Sequence, residues 1–361
     1  FTSLSKGNGM SLIEKIGLSV VNRIDPELGH KLAVASLNMG LISGNGPYTS
    51  ARLRTTVAGL ELPNPIGLAA GFDKNAQAIA PLLKAGFGFI EVGAATPKPQ
   101  AGNPKPRLFR LTQDNASINR FGFNNEGMKA IANRLSQRSD TGIVGINLGA
   151  NKTSSHRAID YVKVLEVCGP YVDFATINVS SPNTEKLRDL QGRSALTALV
   201  AGVMETRDQL DVKIPIFLKV APDLTPQDIE DISYVARMSR IDAVIATNTT
   251  ITRDGLASEH AHETGGLSGA PLFDISTQVL AQFSALLGDE VPLIGVGGIA
   301  TAEQSYAKIK AGACAVQLYT ALVYGGFSLV TQIARGLDNL LEQDGYDHIS
   351  QAIGIERDKY L

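Results

Sequence analysis

The stretch FATINVSSPNT, residues 174–184, is apolar in its first half and then gathers amides and hydroxyls around a proline. FATINVS is a strand-length run without polar/apolar alternation, the pattern of a parallel strand covered on both faces. A simple turn needs one or two polar residues. Asn178, Ser180, Ser181, Asn183 and Thr184 are more than that, so the strand end is a candidate site.

The same design recurs in IGLAAGFD (66–73), FGFIEVGAAT (87–96), IVGINLG (143–149), PIFLKVAPD (215–223), AVIATNT (243–249), PLIGVGG (292–298) and AVQLYTAL (315–322), with helical patterns between. Eight such units predict an α/β fold, a closed (β/α)8 TIM barrel over residues 50–340. A doubly wound sheet would carry a dinucleotide fingerprint after its first strand, and GVGGIA near residue 295 has the wrong spacing and comes too late. The segment RLFRLTQDNASINRFGFNN reads as a hairpin turning at TQDN, inserted at the carboxyl end of strand two and overhanging the barrel mouth. Between their ends, the strands are expected to be almost free of polar side chains.

Upstream, SLIEKIGLSVVNRI and DPELGHKLAVASLNMG predict a two-helix extension over residues 11–44, with Asp25 as N-cap, Pro26 at the first helical position and Gly40 as stop. Its many aliphatic residues must cover the barrel, a membrane surface, or both. Residues 1–10 are expected to be a disordered tail or expression remnant, with Met10 a native start.

The 361 residues carry a formal charge of −2 and no dense basic block, which argues against nucleic acid as a partner. Cys168 and Cys314 offer neither a disulfide framework nor a zinc site, and His260 and His262 in SEHAHET read as a solvated loop, so no metal is expected. No apolar run reaches the length of a bilayer span.

In a barrel, side chains at the carboxyl strand ends converge on one mouth. Strand one brings Asp73 and Lys74, strand three Asn147, strand four Asn178, Ser181 and Asn183, strand five Lys219, and strand six Thr247, Asn248 and Thr249. With Asn119 from the hairpin, these amides suit a flat heterocycle of alternating carbonyl and N–H groups. Gly297 and Gly298, then Tyr319 and Thr320, end the last two strands, where barrels often hold a phosphate. Lys219 in an apolar setting needs an anionic partner or a depressed pKa; it could neutralise charge on a reduced flavin or form a Schiff base. Singly, each residue has a plainer reading: SSPN as a helix N-cap, Lys74 in the first turn of a helix.

GLAAGFDKNA, EVGAATPKPQAGNPKPRLFRL, INRFGFNNEG, GINLGANK, INVSSPNT, KVAPDL, VIATNTT, GGLSG, IGVGGI and VQLYTAL resemble the dihydroorotate dehydrogenases. The serine at 181 and the helical extension resemble the class 2, quinone-dependent branch. The resemblance implies an FMN enzyme that oxidises (S)-dihydroorotate to orotate in pyrimidine synthesis and passes electrons to ubiquinone or a related quinone. It makes Ser181 the base for the C5 proton, and Lys74, Asn119, Arg120, Phe121, Gly122, Phe123, Asn178, Asn183, Asn248 and Thr249 the substrate site. Ala70, Gly71, Phe72, Asp73, Lys74, Ala94, Asn147, Asn178, Lys219, Thr247, Gly269, Gly298, Tyr319 and Thr320 would line FMN. His30, Arg110 and Tyr319 would stand near the quinone, although His30 could simply pack between helices and Arg110 pair with a hairpin carboxylate. At Ala94 the family usually has Ser or Thr, so any flavin contact there must come from backbone. A monomer on the cytoplasmic face of a bacterial inner membrane is expected, or on the mitochondrial inner membrane if the chain is truncated. A soluble class 1 enzyme using fumarate or NAD, an imine-forming lyase at Lys219 or Lys74, and a membrane-surface binding protein are the alternatives.

Overall fold

Seven of the eight apolar runs contain a strand, and the eighth overlaps one that begins two residues earlier, at Ala313, in the computed structural model, which describes residues 10, 12–40, 44, 46–183 and 188–361. Residues 1–9 of the expected tail at 1–10, and Thr184, lie outside the described residues. Strands one to eight are Ile66–Leu68, Phe89–Ala95, Ile143–Leu148, Phe174–Asn178, Ile216–Val220, Ala243–Ala246, Leu293–Val296 and Ala313–Leu318. They close into a parallel barrel in which each strand pairs with its sequence neighbours and strand eight returns to strand one. A helix follows every strand, from Ile79–Lys84 after the first to Ser328–Gln343 after the eighth. The ordered chain continues beyond residue 340, with Ile349 and Ala352 buried against the core.

The lower barrel interior is aromatic. Phe174 stacks on Phe217 with ring centroids 4.7 Å apart, and Phe89 meets Phe174 at 6.2 Å. Burying each ring contributes roughly 1.5–3 kcal/mol. Their bulk is accommodated because strand three has glycine opposite: a Cβ on Gly145 would lie 2.1 Å from the Phe174 ring. Above this layer the interior departs from expectation. Glu91, Thr176 and Gln317 are fully buried inside the strands, so the barrel is not polar only at its rim.

The inserted hairpin forms as expected, Leu108–Leu111 pairing antiparallel with Ala116–Asn119 across a turn at Thr112–Asp114. A third strand, Gly266–Gly269, adds to its far edge. A second small hairpin, Thr55–Val57 with Leu60–Leu62, packs its Val57 and Leu62 against the interior aromatic cluster. Neither has a counterpart among the expectations from sequence.

Helix α1 (Leu12–Val21) and helix α2 (Pro26–Asn38) form the extension. Asp25 caps α2 by accepting from Leu28 N–H, and Pro26 opens it. Glu27 forms a buried ion pair with Arg107 at 2.9 Å, Ser328 N–H donates to Glu14, and Arg110 donates to the carbonyls of Val21, Asn22 and Ile24. The extension therefore packs on the barrel, yet Ile16, Val20, Leu28, Leu32 and Met39 remain exposed. No helix among the described residues is long and apolar enough to cross a membrane.

Candidate active site

The strand ends, the hairpin and the two N-terminal helices enclose one cavity of about 1470 Å³. Its inner part is walled by the amides of the strand ends. Asn178 Nδ2 donates to Asn147 Oδ1 at 2.8 Å, and Asn248 Nδ2 donates to Asn178 Oδ1 at 3.3 Å and to Ser180 Oγ at 3.0 Å. Asn183 Nδ2 reaches Asn119 Oδ1 at 3.3 Å, which brings the hairpin and strand four to one wall. Residues 119, 181 and 248 thus face the same space.

Ser181 is buried, and its Oγ accepts the Asn183 N–H at 3.3 Å. The peptide carrying it is held from below. Arg188 donates to Ser180 O and Thr249 O while pairing with Asp223 at 2.9 Å, and Tyr161 hydroxyl donates to Asn178 O at 2.7 Å. Among the described residues, the α-helix after strand four is Arg193–Gln209.

Two lysines give the cavity positive character. Lys74 is not in a helix; its ammonium donates to Gly71 O at 2.7 Å and lies 4.4 Å from the centre of the Phe121 ring. Burial pushes its pKa down to about 8, and Arg107 adds to the shift, partly opposed by Glu27 and Asp73. Lys219 is likewise held below the usual lysine range by burial, with the Glu91 carboxylate pulling the other way. Burial disfavours the charged form of both, and an anion in the cavity would favour it.

At strands seven and eight the wall is backbone. Gly297 and Gly298 have positive φ, and a Cβ on Gly298 would stand 2.5 Å from Phe273. Thr320 Oγ1 donates to Ser268 Oγ at 2.8 Å, beside Gly269. Ala70, Gly71, Phe72, Ala94, Asn147, Thr247, Thr249, Tyr319, Gly122 and Phe123 also line the cavity.

Asp73 and Arg120 do not. The Asp73 carboxylate accepts backbone N–H groups of Gln77 and Ala78 at 2.8 and 2.7 Å, shaping the turn after strand one. Arg120 pairs with Glu263 at 2.7 Å and lies over Phe109. Any role for them at the site passes through backbone.

Outward, His30 packs on Phe72 and Tyr319, with ring centroids 5.1 and 6.2 Å away, and burial pushes its pKa down to about 3, so it stays neutral. Beyond it, Gly17, Leu18, Val21, Gly29 and Ala33 of the two helices line the cavity. Arg110 reaches this region but spends its guanidinium on three carbonyls at the end of α1, not on a carboxylate.

The sequence reading missed a supporting layer. Asn125 and Asn151 both donate to Thr96 Oγ1, at 2.8 and 3.1 Å, and Asn151 also reaches Lys98 O and Gln100. These residues anchor the base of the hairpin to strands two and three. Their spacing along the chain gave no signal, because the partners meet only in the fold. Among the described residues no cluster could hold a metal ion.

A family model described as dihydroorotate dehydrogenase matches residues 52–341. A dihydroorotate dehydrogenase (quinone) of Cereibacter sphaeroides is 59% identical over 353 residues, covering 98% of this chain and 100% of that protein. One of Brucella ovis is 49% identical, covering 94% of this chain and 95% of its own length. The crystal structure of ligand-free DHODH from Eimeria tenella superposes with a TM-score of 0.89 at 38% identity, covering 92% of this chain and 99% of that one.

Proposed function

The chain belongs to the dihydroorotate dehydrogenase family, flavin-dependent oxidoreductases of pyrimidine synthesis, and from that premise we propose that it holds FMN at the mouth of the barrel, oxidises (S)-dihydroorotate there and delivers the electrons to a membrane quinone. The observation that carries the two-substrate reading is the single cavity, which joins an amide-lined pocket to apolar helices.

The residues fit a flavin mononucleotide. Among the described residues Gln317 Oε1 is buried with no partner, and Lys219 brings a buried amine to the cavity, a set that complements a ring with N–H groups and an electron-rich edge. Asn147, Asn178, Lys219 and Thr247 would hold the ring, and the backbone at Gly269, Gly298, Tyr319 and Thr320 would hold the phosphate. Ala94 leaves only backbone at its position, so nothing there donates from a side chain. When bound, the flavin supplies the two-electron acceptor for the hydride leaving C6 of dihydroorotate.

The chain does the rest. Lys74 offers an ammonium to the substrate carboxylate, while Asn119, Asn178, Asn183, Asn248 and Thr249 fix the ring by directed hydrogen bonds. Ser181 Oγ takes the C5 proton as its own hydroxyl proton passes on to a relay; the Asn183 N–H directed at that oxygen stabilises the negative charge it carries while its own proton leaves. A hydroxyl is a weak base in water, so the pocket must exclude water during transfer. His30, Arg110 and Tyr319 border the quinone side, and the exposed side chains of α1 and α2 would seat the protein on the cytoplasmic face of the bacterial inner membrane as a monomer.

Acid-released cofactor and steady-state assays test this together. We expect one FMN per chain, and turnover with decylubiquinone but not with fumarate. Fumarate alone supporting turnover would remove the quinone reading.

A further inference from the structure

One buried carboxylate is unused by this mechanism. Glu91 of strand two is fully buried one layer above the stacked phenylalanines, and each of its oxygens accepts one amide N–H: Asn147 Nδ2 at 2.6 Å and Gln317 Nε2 at 2.8 Å. The two partners stand on strands three and eight, so the carboxylate bridges across the barrel interior. Burying a charge in this way is expensive for stability, and apolar filling would be cheaper.

Its chemistry suggests what the charge does. A carboxylate accepts and cannot donate, so both amides must turn their NH2 groups toward it. The carbonyl of Asn147 is then obliged to face Asn178, which donates to it at 2.8 Å. Asn178 Oδ1 in turn faces Asn248 and Ser180, both at 3.3 Å. Gln317 Oε1 is pointed away from Glu91 and, among the described residues, is left buried without a partner, and Gln317 lines the cavity. A chain of amides has two possible directions, and an acceptor-only group at one end permits only one.

We propose that Glu91 is a positioning residue for the reaction, fixing the donor direction of the Asn147–Asn178–Asn248 ladder and of Gln317. The inference rests on the flavin reading above. Its negative charge also acts on Lys219, so the carboxylate belongs to the electrostatics of the cofactor site as well as to its geometry.

The test is Glu91→Gln, which keeps the volume but adds a donor. Its single oxygen can satisfy Asn147 or Gln317, not both; at the other contact donor meets donor, and one amide turns over. We expect orotate, read by its perturbation of the flavin spectrum, to bind at least tenfold more weakly, and the flavin midpoint potential to move positive because a negative charge has gone. The double variant Glu91→Gln/Gln317→Glu returns an acceptor-only group to the pair, now facing the amide introduced at position 91, and should recover both properties. Recovery in the double variant supports the proposal even if the single variant fails to fold. A single variant with wild-type orotate affinity and potential, or a double variant no better than the single, overturns it. If dihydroorotate fails to bleach the wild-type flavin, the functional reading fails instead, so the two failures are separable.

Discussion

Ser181 is a hydroxyl that must accept a proton from carbon, with the Asn183 N–H as the hydrogen bond directed at it. Ser181→Ala should bind orotate with close to wild-type affinity, while anaerobic flavin reduction slows by about 10²–10⁴-fold, the usual contribution of a general base. Stopped-flow traces unchanged from wild type would remove Ser181 from that role. Lys74 makes a second prediction, with a definite sign. With its pKa near 8 in the empty cavity, it is charged through neutral pH and loses its charge above that value. Orotate affinity should therefore be flat below about pH 8 and fall above it, with proton uptake on binding in the same range; affinity constant to pH 9.5 by titration would contradict the assignment. The strand-end residues were legible in sequence because each closes a continuous apolar run. Glu91 and Gln317 were not, since each stands inside such a run and the pair is 226 positions apart. Asp73 and Arg120 were legible as polar residues near the site, but local backbone and a distant glutamate claim their side chains.

Among the secondary-structure elements, the α2 helix is fastened by Glu27, which meets Arg107 in the loop leading to the hairpin. Removing one member of a buried pair typically costs about 3–5 kcal/mol, and here the exposed surroundings of α2 place the loss on the docking of the extension. Glu27→Gln should speed proteolytic clipping ahead of the barrel and reduce quinone-dependent turnover, while leaving dihydroorotate-driven bleaching intact; unchanged clipping and turnover would contradict this. Inside the barrel, Gly145→Ala drives a methyl into the Phe174 ring. Overpacking of this kind costs about 1–3 kcal/mol, so the urea midpoint should fall, and Phe174→Leu in the same chain should return part of it. An undisturbed midpoint would mean the ring can move aside. The helical extension was legible from Asp25 and Pro26, whose capping roles the structure bears out. The third hairpin strand and the small hairpin below the barrel were not. GLSG is four residues with two glycines, and Thr55–Val57 is three residues long, too short for any periodicity to register.

For the whole molecule, one closed sheet gathers residues from Lys74 to Thr320 at a single rim, and the two N-terminal helices extend that rim into an apolar passage. The order of strands and helices was readable because parallel strands covered on both faces leave an unbroken apolar signature. The passage was readable only as an open choice, since aliphatic side chains on α1 and α2 say that something covers them but not what; the structure shows them divided between the cavity and the exposed surface. The account requires that the rim and the passage serve one bound flavin, reduced from one side and reoxidised from the other. The most direct test is the visible spectrum of the purified protein under anaerobic conditions, before and after dihydroorotate and then after a quinone. An oxidised-flavin band that bleaches with the first and returns with the second is the predicted result. A protein without such a band, or a band indifferent to dihydroorotate, would contradict it.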